Sequence, residues 1–205
     1  MPSVVDPRCR PLPTEQTSNG CFETMRAYHG RIFRLEAHLD RLFGSAQYLG
    51  LSSALSRPRL RASLLRALAE STLREAVVRI AIMPVKGRGR DPQILPSIVV
   101  QAVQPPTEAV YTDGISVAVV PTKKFPVSVT DPQTKYSARL SSVLAVMDAQ
   151  LRGVDEALFM DALGSVTEST ASNFGVIRDG ALLTPPCWLG LLAGITRDAL
   201  PELPN

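Results

Sequence analysis

Glu168-Ser-Thr-Ala-Ser-Asn173 follows a turn at Gly164-Ser165 and leads into apolar residues that begin at Phe174. The segment places one carboxylate ahead of a group of hydroxyl and amide side chains. Such a composition is ordinary for a solvated polar loop. A carboxylate can also keep a neighbouring basic ring nitrogen protonated, because an opposite charge favours the charged form. The segment therefore indicates either a loop or one wall of a ligand site.

A second segment begins at Lys135 and reads Lys-Tyr-Ser-Ala-Arg-Leu-Ser-Ser-Val-Leu-Ala, as far as Ala145. It follows the turn-forming pair Asp131-Pro132 and has helical character. A lysine ahead of a helix is usually solvated. Its amine becomes a nucleophile only where burial or a nearby cation favours loss of the proton. Lys135 is therefore a candidate nucleophile that depends on support from other segments.

A third segment, Gly194-Ile-Thr-Arg-Asp198, combines a glycine, a hydroxyl and a helical start. Backbone N–H groups at such a start attract anions, and the Thr196 hydroxyl adds a donor. The simpler interpretation is that Thr196 caps the helix. Together with Lys135 and Glu168, the segment supplies an amine, a carboxylate and an anion-binding turn.

Two segments near the amino terminus add to this set. His38-Leu-Asp-Arg41-Leu lies on an expected helix, where Glu36 or Asp40 could satisfy Arg41. Upstream, Asn19-Gly-Cys-Phe-Glu-Thr24 is expected to form a strand. An arginine on a helix can bind a phosphate through two parallel N–H groups.

In order and spacing, these segments resemble the class IV aminotransferases, which are fold-type IV pyridoxal-phosphate enzymes. The resemblance covers roughly residues 19–200. Pyridoxal 5'-phosphate carries an aldehyde, a ring nitrogen and a phosphate, which the amine, carboxylate and turn would hold. The resemblance implies an α+β, two-lobed fold-type IV fold and a homodimer.

The resemblance also implies roles for individual residues. Lys135 would be the catalytic residue and would hold the cofactor as a Schiff base. Glu168 would contact the ring nitrogen. The remaining cofactor contacts would be Arg41, Ser169, Thr170, Ser172, Asn173, Ile195 and Thr196. Phe22, Arg88 and Arg90 are weaker candidates for substrate binding, since the two arginines lie in Lys86-Gly-Arg-Gly-Arg, which also suits a solvated loop.

Three functions remain open at this point. The first is an aminotransferase that moves an amino group between an amino acid, branched-chain or other small and apolar, and a 2-oxo acid. The second is an aminodeoxychorismate lyase that makes 4-aminobenzoate and pyruvate, since Arg139-Leu140 is closer to some lyases. The third is a truncated, non-catalytic homologue. Thr17-Ser-Asn-Gly20 lacks the family's tyrosine, and the chain ends soon after Asp198, so the second lobe is expected to be incomplete.

Composition excludes several other classes. Formal net charge is +3 in 205 residues, and no aromatic residues are interleaved with the arginines of residues 57–66, so nucleic-acid binding is not expected. The three cysteines show no paired spacing, which predicts a reducing compartment and no metal site. No apolar stretch is long enough to span a membrane, and no signal peptide is recognisable. The cytoplasm is the expected compartment.

Apolar periodicity predicts the elements. A hairpin around His29-Gly30 and helices near residues 35–49 and 58–70 are followed by strands near 76–83 and 98–103. The later elements expected are a strand at 115–120, a helix at 136–151, a strand at 156–160 and a hairpin around Asp179-Gly180. The expected domains are 1–19 as coil or a partial first strand, 20–104 as a small α+β lobe, 105–110 as linker and 111–205 as a larger cofactor-binding lobe.

Overall fold

The computed structural model describes residues 20–52, 55–85, 93–124 and 130–202, with only the backbone described at Val85 and Gln93. These residues divide into two compact units. The first contains the described residues up to 104 together with 134–138. The second contains 105–133 and the residues from 139 onward.

The first unit contains a four-stranded antiparallel sheet in the order β2-β1-β3-β4. Its strands are β1 (Cys21–Tyr28), β2 (Arg31–Ile32), β3 (Ala76–Val85) and β4 (Gln93–Ala102). The predicted hairpin at His29-Gly30 is confirmed, and both of its turn residues have positive φ angles, of 51° and 77°. Strand β4 begins earlier than the apolar pattern predicts.

Two helices, α1 (Leu35–Tyr48) and α2 (Arg57–Glu70), pack against this sheet. Their buried apolar residues recur at helical spacing, as predicted. From the helices they are Leu39, Leu42, Ala46, Leu60, Leu64 and Leu68, and they share one core with Met25, Val78, Ile80 and Ile82 of the sheet. The core therefore fixes α1, which carries His38 and Arg41, against β1, which carries Phe22 and Glu23.

Residues 134–138 extend the sheet along the edge of β1. Phe22 N donates to Lys135 O at 3.1 Å, and Ser137 N donates to Gly20 O at 2.8 Å. The prediction that a helix begins at Tyr136 is wrong for this reason, because Tyr136 forms a β-bridge with Cys21. The helix that follows begins only at Leu140.

In the second unit, strands β5 (Val117–Val119), β6 (Glu156–Met160) and β7 (Val166–Ser169) form a mixed sheet in that order. β5 and β6 are parallel, whereas β6 and β7 are antiparallel. Helix α4 (Leu140–Leu151) packs on β6 through Ala145 and Ala149, which contact the buried cluster around Phe159. Small alanine side chains allow helix and strand to approach closely.

The described part of the second unit also contains a hairpin and two short helices. β8 (Val176–Arg178) and β9 (Ala181–Leu183) form the predicted hairpin. Helix α3 (Glu108–Thr112) begins inside the expected linker, since the prolines at 105 and 106 precede it and do not interrupt it. Helix α5 (Ile195–Ala199) follows Gly194. None of the helices in the described residues has the length and apolarity that a membrane crossing needs.

Candidate active site

Lys135 is held by its backbone at the edge of the first unit's sheet. Its carbonyl accepts the N–H of Phe22, and its own N–H donates to Ser45 Oγ on α1 at 3.1 Å. The residue is partly buried. These hydrogen bonds fix the Lys135 backbone between β1 and α1. The side chain that carries the amine is therefore attached at a fixed position.

Two cationic side chains lie close to the Phe22 ring. Lys135 Nζ is 5.1 Å from the ring centroid, and the Arg79 guanidinium carbon is 4.3 Å from it. Cations at these distances are attracted by the ring's π-electrons. Arg79 was not among the residues predicted from the sequence. A charged residue inside the apolar strand 76–83 is unusual, and this could have identified it. Phe22 is thus a wall of the Lys135 environment, and its predicted contact with substrate stays a prediction.

Arg41 makes a buried, two-point ion pair with Glu23. Arg41 Nε donates to Glu23 Oε1 at 2.6 Å, and Arg41 Nη2 donates to Glu23 Oε2 at 2.8 Å. His38 Nδ1 also lies 2.8 Å from Oε2. The expectation that Glu36 or Asp40 could satisfy Arg41 is corrected here, since both carboxylates bind Arg57 of α2.

The carboxyl group of Glu23 has no solvent exposure, and its surroundings decide its charge. Burial alone would raise the pKa of Glu23, but hydrogen bonds from Arg41 and His38 outweigh burial and lower the pKa below its ordinary value of 4.5. Glu23 is therefore a carboxylate at neutral pH. It orients the guanidinium for which the family resemblance predicts phosphate binding.

Glu168 lies on β7 with 7% of its surface exposed. Its Oε1 forms an ion pair with Lys124, and its Oε2 accepts the N–H of Leu192 at 3.2 Å. Strand β7 was not predicted, because Val166–Ser169 is polar in sequence and is a strand through pairing with β6. The pairing presents Glu168 as a buried carboxylate that already has a cationic partner.

The residues after Glu168 form a tight turn closed by a bridge between Glu168 and Asn173. Ser169 N donates to Ser172 O at 2.9 Å, and the two serine hydroxyls lie 2.7 Å apart. The Thr170 hydroxyl donates to Glu156 Oε1 at 2.8 Å. These side chains therefore shape the turn through internal hydrogen bonds. Their predicted contacts with the cofactor stay a prediction.

Helix α5 is capped by Gly194, not by Thr196 as the simpler interpretation holds. A Cβ at Gly194 would lie 1.8 Å from Asn173 Oδ1, so the glycine permits the close approach of the Asn173 amide. Thr196 is exposed and Ile195 is partly buried. The hydroxyl of Thr196 is thus not committed to capping α5, which suits its predicted role.

The site residues predicted from the sequence fall into two sets. Phe22, Arg41 and Lys135 belong to the first unit. The second unit holds Glu168, Ser169, Thr170, Ser172, Asn173, Ile195 and Thr196. Arg88 and Arg90 lie outside the described residues. Within the described residues, no group of three His, Cys, Asp or Glu side chains could hold a metal ion.

The sequence matches the family model described as amino-transferase class IV over residues 20–205. It is 37% identical over 188 residues to the putative branched-chain-amino-acid aminotransferase of Methanocaldococcus jannaschii. That match covers 90% of this chain and 65% of the relative, so the chain spans just under two thirds of the relative's length.

Two solved structures of enzymes share the fold of this chain. The branched-chain amino acid aminotransferase of Thermobaculum terrenum, in its PLP form, aligns with a TM-score of 0.81 at 24% identity, covering 91% of this chain and 64% of that one. A putative 4-amino-4-deoxychorismate lyase of Legionella pneumophila aligns with a TM-score of 0.80 at 22% identity, covering 97% and 75%. The fold expected from the sequence is confirmed. Since the family match extends over nearly all of the sequence, this chain belongs to the class IV aminotransferase family.

Proposed function

We propose that the chain is a pyridoxal-phosphate-dependent aminotransferase that moves an amino group between an amino acid, branched-chain or other small and apolar, and a 2-oxo acid. The observation that carries the proposal is Glu168, a buried carboxylate that forms an ion pair with Lys124. A carboxylate in this position stabilises an adjacent cation, and a protonated pyridine nitrogen is such a cation. Family membership supports the same cofactor.

Lys135 is proposed as the residue that holds the cofactor and moves protons. When bound, pyridoxal 5'-phosphate supplies an aldehyde for amines and a protonated ring that withdraws electrons from the substrate α-carbon. The Lys135 amine would take the proton from that α-carbon as a base and deliver it, as an acid, to the cofactor carbon that had carried the aldehyde. Its backbone bonds to Phe22 and Ser45 support this role, because a proton carrier needs a fixed point of attachment.

The remaining predicted site residues are proposed to bind and orient the cofactor. Glu168 keeps the ring nitrogen protonated. Arg41 is proposed to bind the phosphate, and its ion pair with Glu23 supports this by fixing the plane of the guanidinium. The backbone of Ile195 and the hydroxyl of Thr196 are proposed as further phosphate donors. Ser169, Thr170, Ser172 and Asn173 are proposed to line the cofactor through the turn that they build.

The substrate is proposed from the chemistry near Lys135. The apolar Phe22 ring suits an apolar amino-acid side chain, and the name of the Methanocaldococcus jannaschii relative supports a branched-chain amino acid. The Arg79 guanidinium, on the same ring, offers a cation for a substrate carboxylate. We also propose a homodimer in the cytoplasm, as the family resemblance and the cysteine content predict.

The test is a product assay with the full chain and added cofactor. Leucine, isoleucine or valine with 2-oxoglutarate should give the branched-chain oxo acid and glutamate, and the Lys135→Ala variant should give neither product. Release of 4-aminobenzoate and pyruvate from aminodeoxychorismate would instead establish the lyase. A chain that binds the cofactor but forms neither set of products would be the non-catalytic homologue.

A further inference from the structure

Side chains hold the backbone of residues 191–193 on several sides. The Gln133 side chain makes two of these bonds, since its Nε2 donates to Leu191 O at 3.0 Å and its Oε1 accepts the N–H of Ala193 at 2.9 Å. One amide group thus pairs with the backbone as a neighbouring strand would. A glutamine is suited to this because it carries a donor and an acceptor side by side.

The residue between these two bonds is held as well. Leu192 N donates to Glu168 Oε2 at 3.2 Å, and Leu192 O accepts from Asn173 Nδ2 at 2.8 Å. Four consecutive backbone polar groups, from Leu191 O to Ala193 N, therefore have side-chain partners. Partly buried backbone groups of this kind need partners, and a lost partner releases the segment.

This segment leads directly into the turn at Gly194. Asn173 Oδ1 occupies the space that a Cβ of Gly194 would take, at 1.8 Å. Gly194 then caps α5, and Asp198 N donates to Gly194 O at 2.9 Å. The position of the turn is consequently set by the side chains that hold residues 191–193.

We infer that Gln133 is a positioning residue for the cofactor phosphate, acting through the backbone of Leu191 and Ala193. The inference rests on the proposed function, because it takes the turn at residues 194–196 to bind that phosphate. Donors already fixed in place bind a ligand more tightly than donors that must first be ordered. Gln133 would hold the backbone that leads into this turn in place, without touching the phosphate itself.

The experiment compares two ligands that differ only in the phosphate. Dissociation constants for pyridoxal 5'-phosphate and for pyridoxal are measured by visible absorption in wild type and in Gln133→Leu, with the signal of Lys135→Ala subtracted. Leucine is apolar, one atom shorter than glutamine, and has neither polar group. We expect Gln133→Leu to weaken binding of the phosphorylated ligand about tenfold, as the loss of neutral hydrogen bonds does, and to leave pyridoxal binding unchanged.

Gln133→Met is the matched variant. Its side chain has the length of glutamine, carries no charge and lacks both polar groups, so its loss of affinity for the phosphorylated ligand should equal that of Gln133→Leu. This variant also decides the question if Gln133→Leu does not fold. An equal loss for both ligands, or no loss for either, overturns the inference alone. A wild-type chain with no Lys135-dependent binding overturns the proposed function, and the inference with it.

Discussion

At the scale of single residues, Glu23 is the most deeply buried carboxylate among the described residues of the first unit. It has no exposed surface, and Arg41 and His38 both contact it. Breaking a buried ion pair by removing one partner is costly, because the other charge stays buried. The Arg41 side chain is only 14% exposed, so it has little access to water as a substitute.

We predict that Glu23→Gln lowers the free energy of unfolding by about 3 kcal/mol at pH 7. The pKa of Glu23 is lowered in the folded chain, so its contribution is present above the unfolded value of 4.5 and is lost as pH falls through the folded pKa. The difference between wild type and variant should therefore shrink below about pH 4.5. Urea unfolding of both proteins, followed by circular dichroism at several pH values, measures this difference in the free energy of unfolding.

Glu75→Gln is the control for this prediction. Glu75 binds Arg26 in a similar pair, but its side chain is 41% exposed. Such an exposed pair is expected to contribute at most about 1 kcal/mol to the free energy of unfolding. Equal costs for the two variants, or a cost for Glu23→Gln that is the same at pH 3 and pH 7, would contradict the assignment of Glu23 as a buried, ionised carboxylate.

At the scale of elements, Gly20 is placed where β1 begins and no side chain fits. A Cβ there would lie 2.4 Å from the backbone oxygen of Ile82 and 2.3 Å from Met83 Sδ. We predict that Gly20→Ala lowers the free energy of unfolding by about 1–3 kcal/mol, because the backbone of β3 must shift to make room for the methyl group. Gly44→Ala, on the exposed face of α1 with open space around it, should instead stabilise by up to about 1 kcal/mol. Urea midpoints of both variants test this, and a tolerated Gly20→Ala would be inconsistent with the packing of β1 on β3.

The elements that the sequence predicts are those with local signals. Helices α1 and α2 follow from leucine spacing, and the hairpin of β8 and β9 follows from Asp179-Gly180. Strand β7 carries no such signal, since its strand conformation comes from pairing with β6. Helix α4 begins late because Tyr136 bonds to β1 instead. Elements set by pairing with distant residues are thus the ones that periodicity misses.

The same distinction applies to the candidate site. Lys135, Glu168 and the turn at Gly194 could be identified because their motifs are contiguous in sequence. The partner of Arg41 could not, since Glu23 lies 18 residues away and meets it only when α1 packs on β1. Gln133 and residues 191–193 are separated by about sixty positions, so their contact depends on the folded second unit.

At the scale of the whole molecule, α4 leaves an apolar stripe exposed. It consists of Leu140, Val143, Leu144, Met147 and Leu151, spaced as one face of a helix, and each is 46–88% exposed. Apolar patches of this kind mark interaction sites in soluble proteins. They offer a surface for the homodimer proposed above.

We predict that the 205-residue chain self-associates through this stripe, with a mass of about two chains in light scattering. Replacing Val143 and Met147 together by glutamate should give the mass of one chain, because charges oppose burial of the face. Ile177→Glu, at another exposed apolar position, should leave the mass unchanged. A wild-type chain with the mass of a monomer at high concentration would refute the prediction.

The central claim is that Lys135 holds pyridoxal 5'-phosphate, and the visible absorption spectrum of the chain with added cofactor tests it most directly. We predict a cofactor band in wild type that shifts on addition of a substrate amino acid. The band should persist in Lys123→Ala, which replaces an exposed lysine twelve positions earlier in the sequence, and disappear in Lys135→Ala. A band of equal strength in Lys135→Ala, or no band in wild type at any cofactor concentration, would contradict the account.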